Sequence, residues 1–326
     1  MKTGVNPLQM DVKQAIEQYL GVNKEQIKSA IECTARLAAR AATSLNAVEK
    51  RLDEESFTAA FFGALAASLP LGVLAYSRQD GEDYAWLKYD KGSGGWPESE
   101  SGADFCLVFN LSKQKSRMAI FQAKSDASNW TTDNTLVINQ SRIEEGEKVL
   151  QVKRLVETAS RIESGGAVNQ VPLNKLRWVH YLCQFNNGLR CVPISTIAQQ
   201  VDDIIKDKAE TKKSVPVSDK NGIAFISLIA DAFAADSKHW KTINSAKGLP
   251  LPSAIGLTEI GLLMKVYVIT DDQKGWVNEL GFSSPTVVSK VKAINENKDL
   301  KERVNRKREK SAEKKDASNR VVAKKK

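Results

Sequence analysis

Three polar side chains stand where a largely apolar stretch would not tolerate them without a reason: Asp104, Gln122 and Lys124. Asp104 heads the apolar run Phe105-Cys-Leu-Val-Phe109, while Gln122 and Lys124 close the run Met118-Ala-Ile-Phe121. Both runs have strand length and composition, and the hydrophilic residues Asn110 to Arg117 between them read as the connection of a hairpin. Because strand side chains alternate, Gln122 and Lys124 point to one face. An ammonium buried there without a partner is costly, and the antiparallel return brings Asp104 close enough to oppose it. An acid, an amide oxygen and an ammonium then gather in one small cluster. The plainer alternative is a Lys that snorkels outward from a strand end.

Gly102-Ala103-Asp104 followed by Phe121-Gln122-Ala123-Lys124 resembles the core motif of the PD-(D/E)XK nuclease superfamily, in the variant with Gln in place of the second acid. The resemblance spans Ser101 to Asp126. It implies an α/β fold with a restriction-endonuclease-like mixed sheet flanked by helices. It also implies a metal-dependent nuclease that hydrolyses phosphodiester bonds, of DNA rather than RNA. On that reading Mg²⁺ or Mn²⁺ is held by Asp104 and Gln122, the intervening carbonyl can join them, and Lys124 orients or activates the attacking water. Gln122 offers a neutral oxygen, so a second reading stays open: the same fold with a weakened site that binds nucleic acid or a partner protein.

Members of this superfamily also place a Glu on the helix before the hairpin. In Glu54-Glu55-Ser-Phe-Thr58 the first choice for that metal-reaching acid is Glu54 and the second Glu55. Acids in a first helical turn also simply complement the helix dipole. Glu100, just ahead of Gly102, is a further candidate. So is Gln140, with Gln151 beyond it, because related nucleases often carry a Gln on the helix after the catalytic strand. Stand-alone bacterial proteins of this kind often act against phage, so antiviral defence is the setting the resemblance implies.

The elements that must position these residues are legible in part. Gln9 to Leu20 has helical spacing and ends at Gly21, and Asn23 with Gln26 reads as a capping box opening an Ala-rich helix towards Lys50. That helix offers a packing or dimer surface. The next helix begins near Asp53 and runs through Phe57, Phe61 and Leu65. Phe57 to Tyr76 carries no charge and approaches the length of a membrane span, but Ala, Gly, Thr58, Ser68 and Pro70 favour a core helix that stops before Pro70. Tyr84, Trp86 and Tyr89 alternate as in a strand, and Lys91 to Pro97 reads as a loop. Lys88 and Lys91 could contact phosphates beside these aromatics, or the aromatics could only pack. Ile143 to Ile162 reads as an amphipathic helix, Trp178 to Phe185 as a strand, and Asn186-Asn-Gly188 as the turn to its partner at Leu189 to Ile194. Ile223 to Ala234 reads as a buried helix and Lys265 to Thr270 as a strand at the sheet's far side.

Composition excludes several classes. There is no P-loop and no G-x-G-x-x-G, so neither ATP-driven nor dinucleotide chemistry is indicated. The four Cys show no C-x-x-C spacing and the two His no ligand pattern with them, which argues against zinc. Cysteines in apolar strand runs, and a start that lacks an apolar signal region, point to a cytoplasmic protein with no membrane segment. Lys290 to Lys326 holds 15 Lys and Arg against 6 Asp and Glu, a net of +9 that equals the formal charge of the whole chain. Its clusters, Arg306-Lys307-Arg308 foremost, read as a solvated arm that binds nucleic-acid phosphates without reading sequence. The expected organisation is a helical segment over 1–50, a nuclease-like domain over 51–289 and a basic tail over 290–326.

Overall fold

The two apolar runs do pair, and they form the middle of a mixed sheet. A computed structural model describes residues 7–23, 26–48, 52–76, 85–89, 101–112, 114–127, 129–144, 147–164, 171–207, 213–244 and 264–270. The chain runs through helices α1 (Pro7–Leu20), α2 (Ala30–Val48) and α3 (Glu54–Tyr76), then strands β1 (Ala85–Tyr89), β2 (Phe105–Ser112) and β3 (Lys115–Lys124). Short strands β4 (Thr131–Thr132), β5 (Thr135–Val137), β6 (Ser141–Glu144) and β7 (Glu147–Leu150) lead into α4 (Gln151–Glu163). After it come β8 (Val179–Phe185), β9 (Gly188–Pro193), α5 (Ala198–Asp207), β10 (Ser214–Pro216), β11 (Ile223–Ala224), α6 (Phe225–Ala232), β12 (Lys241–Asn244) and β13 (Lys265–Thr270). Two compact units divide the chain, Met1–Gln273 and Lys274–Lys326, and the second lies wholly outside the described residues.

The main sheet has the order β1-β13-β2-β3-β8-β9-β11. β13 runs parallel to β2 and β8 parallel to β3, and the other pairs are antiparallel. β3 is long enough to take two neighbours end to end, β12 along Lys115 to Met118 and β8 along Ile120 to Lys124. Lys265–Thr270 was expected at the far side of the sheet, but it lies between β1 and β2. A strand buried on both faces suits that interior place.

Alternation assigns the two faces. Phe105, Leu107, Phe109, Ala119 and Phe121 face a core shared with Phe57, Phe61 and Leu65 of α3, Ile31 and Ala35 of α2, and Phe225 of α6. Rings interlock there: Phe105 stacks on Phe121 at 4.9 Å, and Phe225 meets Phe61 edge-on at 5.1 Å. The alanines of α2 let it approach α3 so closely that a Cβ at Gly72 would fall 2.2 Å from Thr34 Oγ1. The opposite face of β3 carries Gln122 and Lys124 and is covered by α4, with α5 beside it.

Several local expectations need correction. Most of the polar stretch Asn110 to Arg117 is strand, since β2 runs to Ser112 and β3 begins at Lys115. Its side chains are satisfied by distant chain: Asn110 Nδ2 donates to Thr270 Oγ1 at 3.0 Å, and Arg117 donates to the carbonyls of Ala234 and Ala235. α2 starts at Ala30 rather than near Asn23, because the working cap is Ser29, whose Oγ accepts from Glu32 N at 3.1 Å while Glu32 returns to Lys28 N at 3.0 Å. α3 continues through Pro70 to Tyr76. It is the one helix among the described residues long and apolar enough to cross a membrane, yet its N-terminal half is buried against the sheet through Phe57, Phe61, Phe62 and Leu65. Its C-terminal half exposes Leu71 and Leu74.

His180 on β8 stacks obliquely on Phe121 and is fully buried. Its Nε2–H donates to the His239 carbonyl at 2.9 Å, and its Nδ1 has no partner, so a second proton would create a cation with nothing to receive it. Burial therefore holds its pKa down to about 3, against 6.5 for a free imidazole. A folded-state pKa below the unfolded one means stability intact above pH 6.5 and lost as pH falls towards 3. About 2 kcal/mol is expected to disappear between pH 6.5 and 5. Urea denaturation across that range checks it, with His180→Gln flattening the slope by one proton.

Candidate functional site

Gly102 makes the turn that aims the chain into β2. Its φ is +68°, in the left-handed region, and a Cβ there would lie 2.5 Å from Gln151 O and from Leu155 N of α4. The missing side chain thus lets the α4 N-terminus sit directly on the entrance to β2. Ser101 Oγ accepts from Ala103 N at 3.1 Å, and Asp104 N donates to Phe121 O at 2.9 Å, which sets Asp104 across from Gln122.

Asp104 and Gln122 meet, while the Lys124 ammonium expected opposite Asp104 is held by two glutamines. Asp104 Oδ2 accepts from Gln122 Nε2 at 3.1 Å and from the backbone N–H of Ala123. A carboxylate only accepts, so Gln122 must turn its NH₂ to Asp104 and its oxygen away. That oxygen, Oε1, is buried and has no hydrogen-bond partner. Lys124 is 3 % exposed, and its Nζ donates to Gln140 Oε1 at 2.8 Å and Gln151 Oε1 at 3.1 Å. Its charge is also felt by the neighbouring Cys183 thiol: burial drives that pKa up, and the ammonium pulls partly against it.

Both glutamines reach Lys124 through a feature that sequence reasoning missed. Residues 143–150, expected as the start of a helix, belong instead to the β6–β7 hairpin, with Ser141 paired to Leu150 and Gln151 N bonded to Gln140 O at 2.9 Å. The hairpin's two feet therefore carry the two amide oxygens. The overlooked signal is a glycine in the sequence, Gly146, a poor helix former inside an otherwise helical pattern. Ile143, expected on a helix, stands 72 % exposed on the hairpin.

Glu54 is the first residue of α3 and half-buried, and Glu55 is exposed. Asp53 caps the helix through Ser56 N to Oδ1 at 2.6 Å, a bond that lowers its own pKa. Gln184 Nε2 ties that helix start to β8 by donating to Asp53 O at 3.5 Å. Lys124 is in register with Cys183, so Gln184 points to the opposite face. Glu54 consequently stands across the strand ends from Asp104, Gln122 and Lys124, and a shared ligand would require it to reach around them. Lys88 lies on β1, where only its backbone is described. Lys91, Glu100, Arg306, Lys307 and Arg308 lie outside the described residues, as do the loop after Lys91 and the expected helix at Trp276.

The donor set fits a hard cation in kind but is lean in charge. One carboxylate and an unpartnered amide oxygen on adjacent strands are oxygen ligands of the type Mg²⁺ takes. Among the described residues no three His, Cys, Asp or Glu side chains are grouped to hold a metal. Gln122→Glu tests the position. It replaces a donor to Asp104 with a second acid, so the metal-free protein is expected to lose about 1–3 kcal/mol near neutral pH. Mn²⁺ should then raise its melting temperature more than that of the wild type. A melting temperature indifferent to Mn²⁺ would place Gln122 away from any metal.

Compared with known proteins, the chain matches no family model, no curated protein and no solved structure.

Proposed function

We propose that this chain is a metal-dependent nuclease of the PD-(D/E)XK type that hydrolyses phosphodiester bonds, with DNA as the preferred substrate. The observation that carries the reading is the meeting of Asp104 with Gln122, whose Oε1 is left without a partner, and the buried Lys124 two residues further along β3. The order of elements supports it as well: a helix, the antiparallel pair β2–β3, the crossover helix α4, and β8 parallel to β3. That order accords with a restriction-endonuclease-like core.

Asp104 and Gln122 Oε1 would hold Mg²⁺ or Mn²⁺, and Glu54 would join them as a third oxygen donor only by reaching around the strand ends. The bound ion would offset charge on the phosphoryl oxygens. Lys124, fixed by Gln140 and Gln151, presents an ammonium that orients the attacking water or meets developing negative charge. Lys88, Lys91 and the tail around Arg306-Lys307-Arg308 supply phosphate contacts that carry no sequence information. Incubating plasmid, linear DNA and RNA with the protein in Mg²⁺, Mn²⁺ or EDTA tests the reading. Cutting with metal and none in EDTA is the expected result.

The single carboxylate in the cluster favours a second reading, in which the fold binds nucleic acid or a partner subunit and leaves the chemistry to another chain. Gel shifts in EDTA with no cleavage in any metal would select it.

A further inference from the structure

The parallel strands β3 and β8 end side by side at Lys124 and Phe185, and a cleft of about 160 Å³ opens at their carboxyl ends. In open α/β sheets that end of the strands is where ligands bind. Tight turns wall the cleft. Asp133 and Asn134 form the two-residue link between β4 and β5, with φ of 43° and 61°, the type I′ pattern that holds a hairpin rigid. Asn186 and Asn187 link β8 to β9, and Asp126 follows Lys124 by two residues. Gln184 and Phe185 complete the lining.

That lining selects a ligand. Among the described residues it carries two carboxylates, several amides and no Lys or Arg, so it disfavours phosphate and accepts N–H donors. Gln184 is 1 % exposed, and its Oε1 has no partner. A buried acceptor left unmet costs about 1–3 kcal/mol, which an arriving donor relieves. The volume is that of roughly five waters, the scale of one heteroaromatic ring system.

We propose that this cleft takes a single nucleobase bearing an exocyclic amino group, adenine, cytosine or guanine, unstacked from its neighbours. That the base belongs to a nucleic acid being cut rests on the nuclease reading above. Gln184 follows the register partner of Lys124 and so points to the opposite face of the sheet. The base would therefore be held across the strand ends from Lys124, with Asp126 and Asp133 keeping phosphates out of the base site.

The test is NMR titration of the full chain in EDTA with adenosine, cytidine, guanosine and thymidine, which carry no phosphate. The first three are expected to bind about tenfold more tightly than thymidine, within the range that base-edge hydrogen bonds discriminate. Asp133→Ala and Gln184→Leu should lose that preference, and Asp104→Ala should keep it. Asp133 is exposed on a turn, so its variant remains informative if the Gln184 variant does not fold. Equal binding of all four nucleosides, no binding at all, or unchanged preference in Asp133→Ala overturns the proposal. Nucleoside preference in a protein that never cuts DNA would overturn the nuclease reading alone, and cutting without any preference would overturn the base site alone.

Discussion

Asp104→Ala and Lys124→Met should each lower metal-dependent cleavage by about 10²–10³-fold or more, the loss that follows when one group facing transition-state charge is removed. The two variants fail for different reasons, and their stabilities separate those reasons. Asp104→Ala removes the acceptor of Gln122 Nε2 and of Ala123 N, leaving two buried donors unmet at about 1–3 kcal/mol each. Asp104→Asn keeps the shape and one acceptor oxygen, so it should fold better than the Ala variant while staying inactive, because the negative charge is gone. Lys124→Met keeps much of the buried aliphatic volume but deprives Gln140 and Gln151 of the ammonium between them. Lys124→Arg should not rescue, since a planar guanidinium cannot take the place of a compact ammonium between two amide oxygens. Melting curves and DNA gel shifts on the same preparations show whether fold and binding survive. Cleavage by both variants at the wild-type rate would remove this cluster from the chemistry.

What could be read from the chain depended on how local the cause was. The β2–β3 pair was legible because two apolar runs lie close in sequence, and the meeting of Asp104 with Gln122 followed from alternation and the antiparallel return. The β8–β9 hairpin was likewise announced by Asn186-Asn187-Gly188. β13 was recognised as a strand, but its place was not: its pairing with β2 joins residues some 160 positions apart, and no local signal encodes such a register. The polar residues of β2 and β3 misled for a related reason. Asn110 and Arg117 look like turn residues until Thr270 and the carbonyls after α6 arrive to satisfy them. At the site, Gln140 and Gln151 were candidates by resemblance only. What joins them is the β6–β7 hairpin, hidden in a sequence whose apolar spacing also fits a helix.

Gly102→Ala should be among the most damaging single-methyl additions in this protein. A non-glycine residue in the left-handed region costs about 1–2 kcal/mol. Here the new Cβ would also lie 2.5 Å from Gln151 O and Leu155 N and 3.1 Å from Arg154 Cβ. The first two are backbone atoms of α4 and cannot swing away, so the helix start must move, at a further cost of about 1–3 kcal/mol. Movement of α4 carries Gln151 with it and loosens its hold on Lys124, so activity should fall by more than the loss of folded protein explains. Gly63→Ala is the matched control: nothing lies within 4 Å of its added Cβ, and it sits inside α3, where Ala is the better helix former by up to about 1 kcal/mol. Urea titrations of the two variants should therefore move in opposite directions. If Gly102→Ala instead unfolds with the wild type, the close seat of α4 on the turn before Asp104 is wrong, and the link from that turn through Gln151 to Lys124 falls with it.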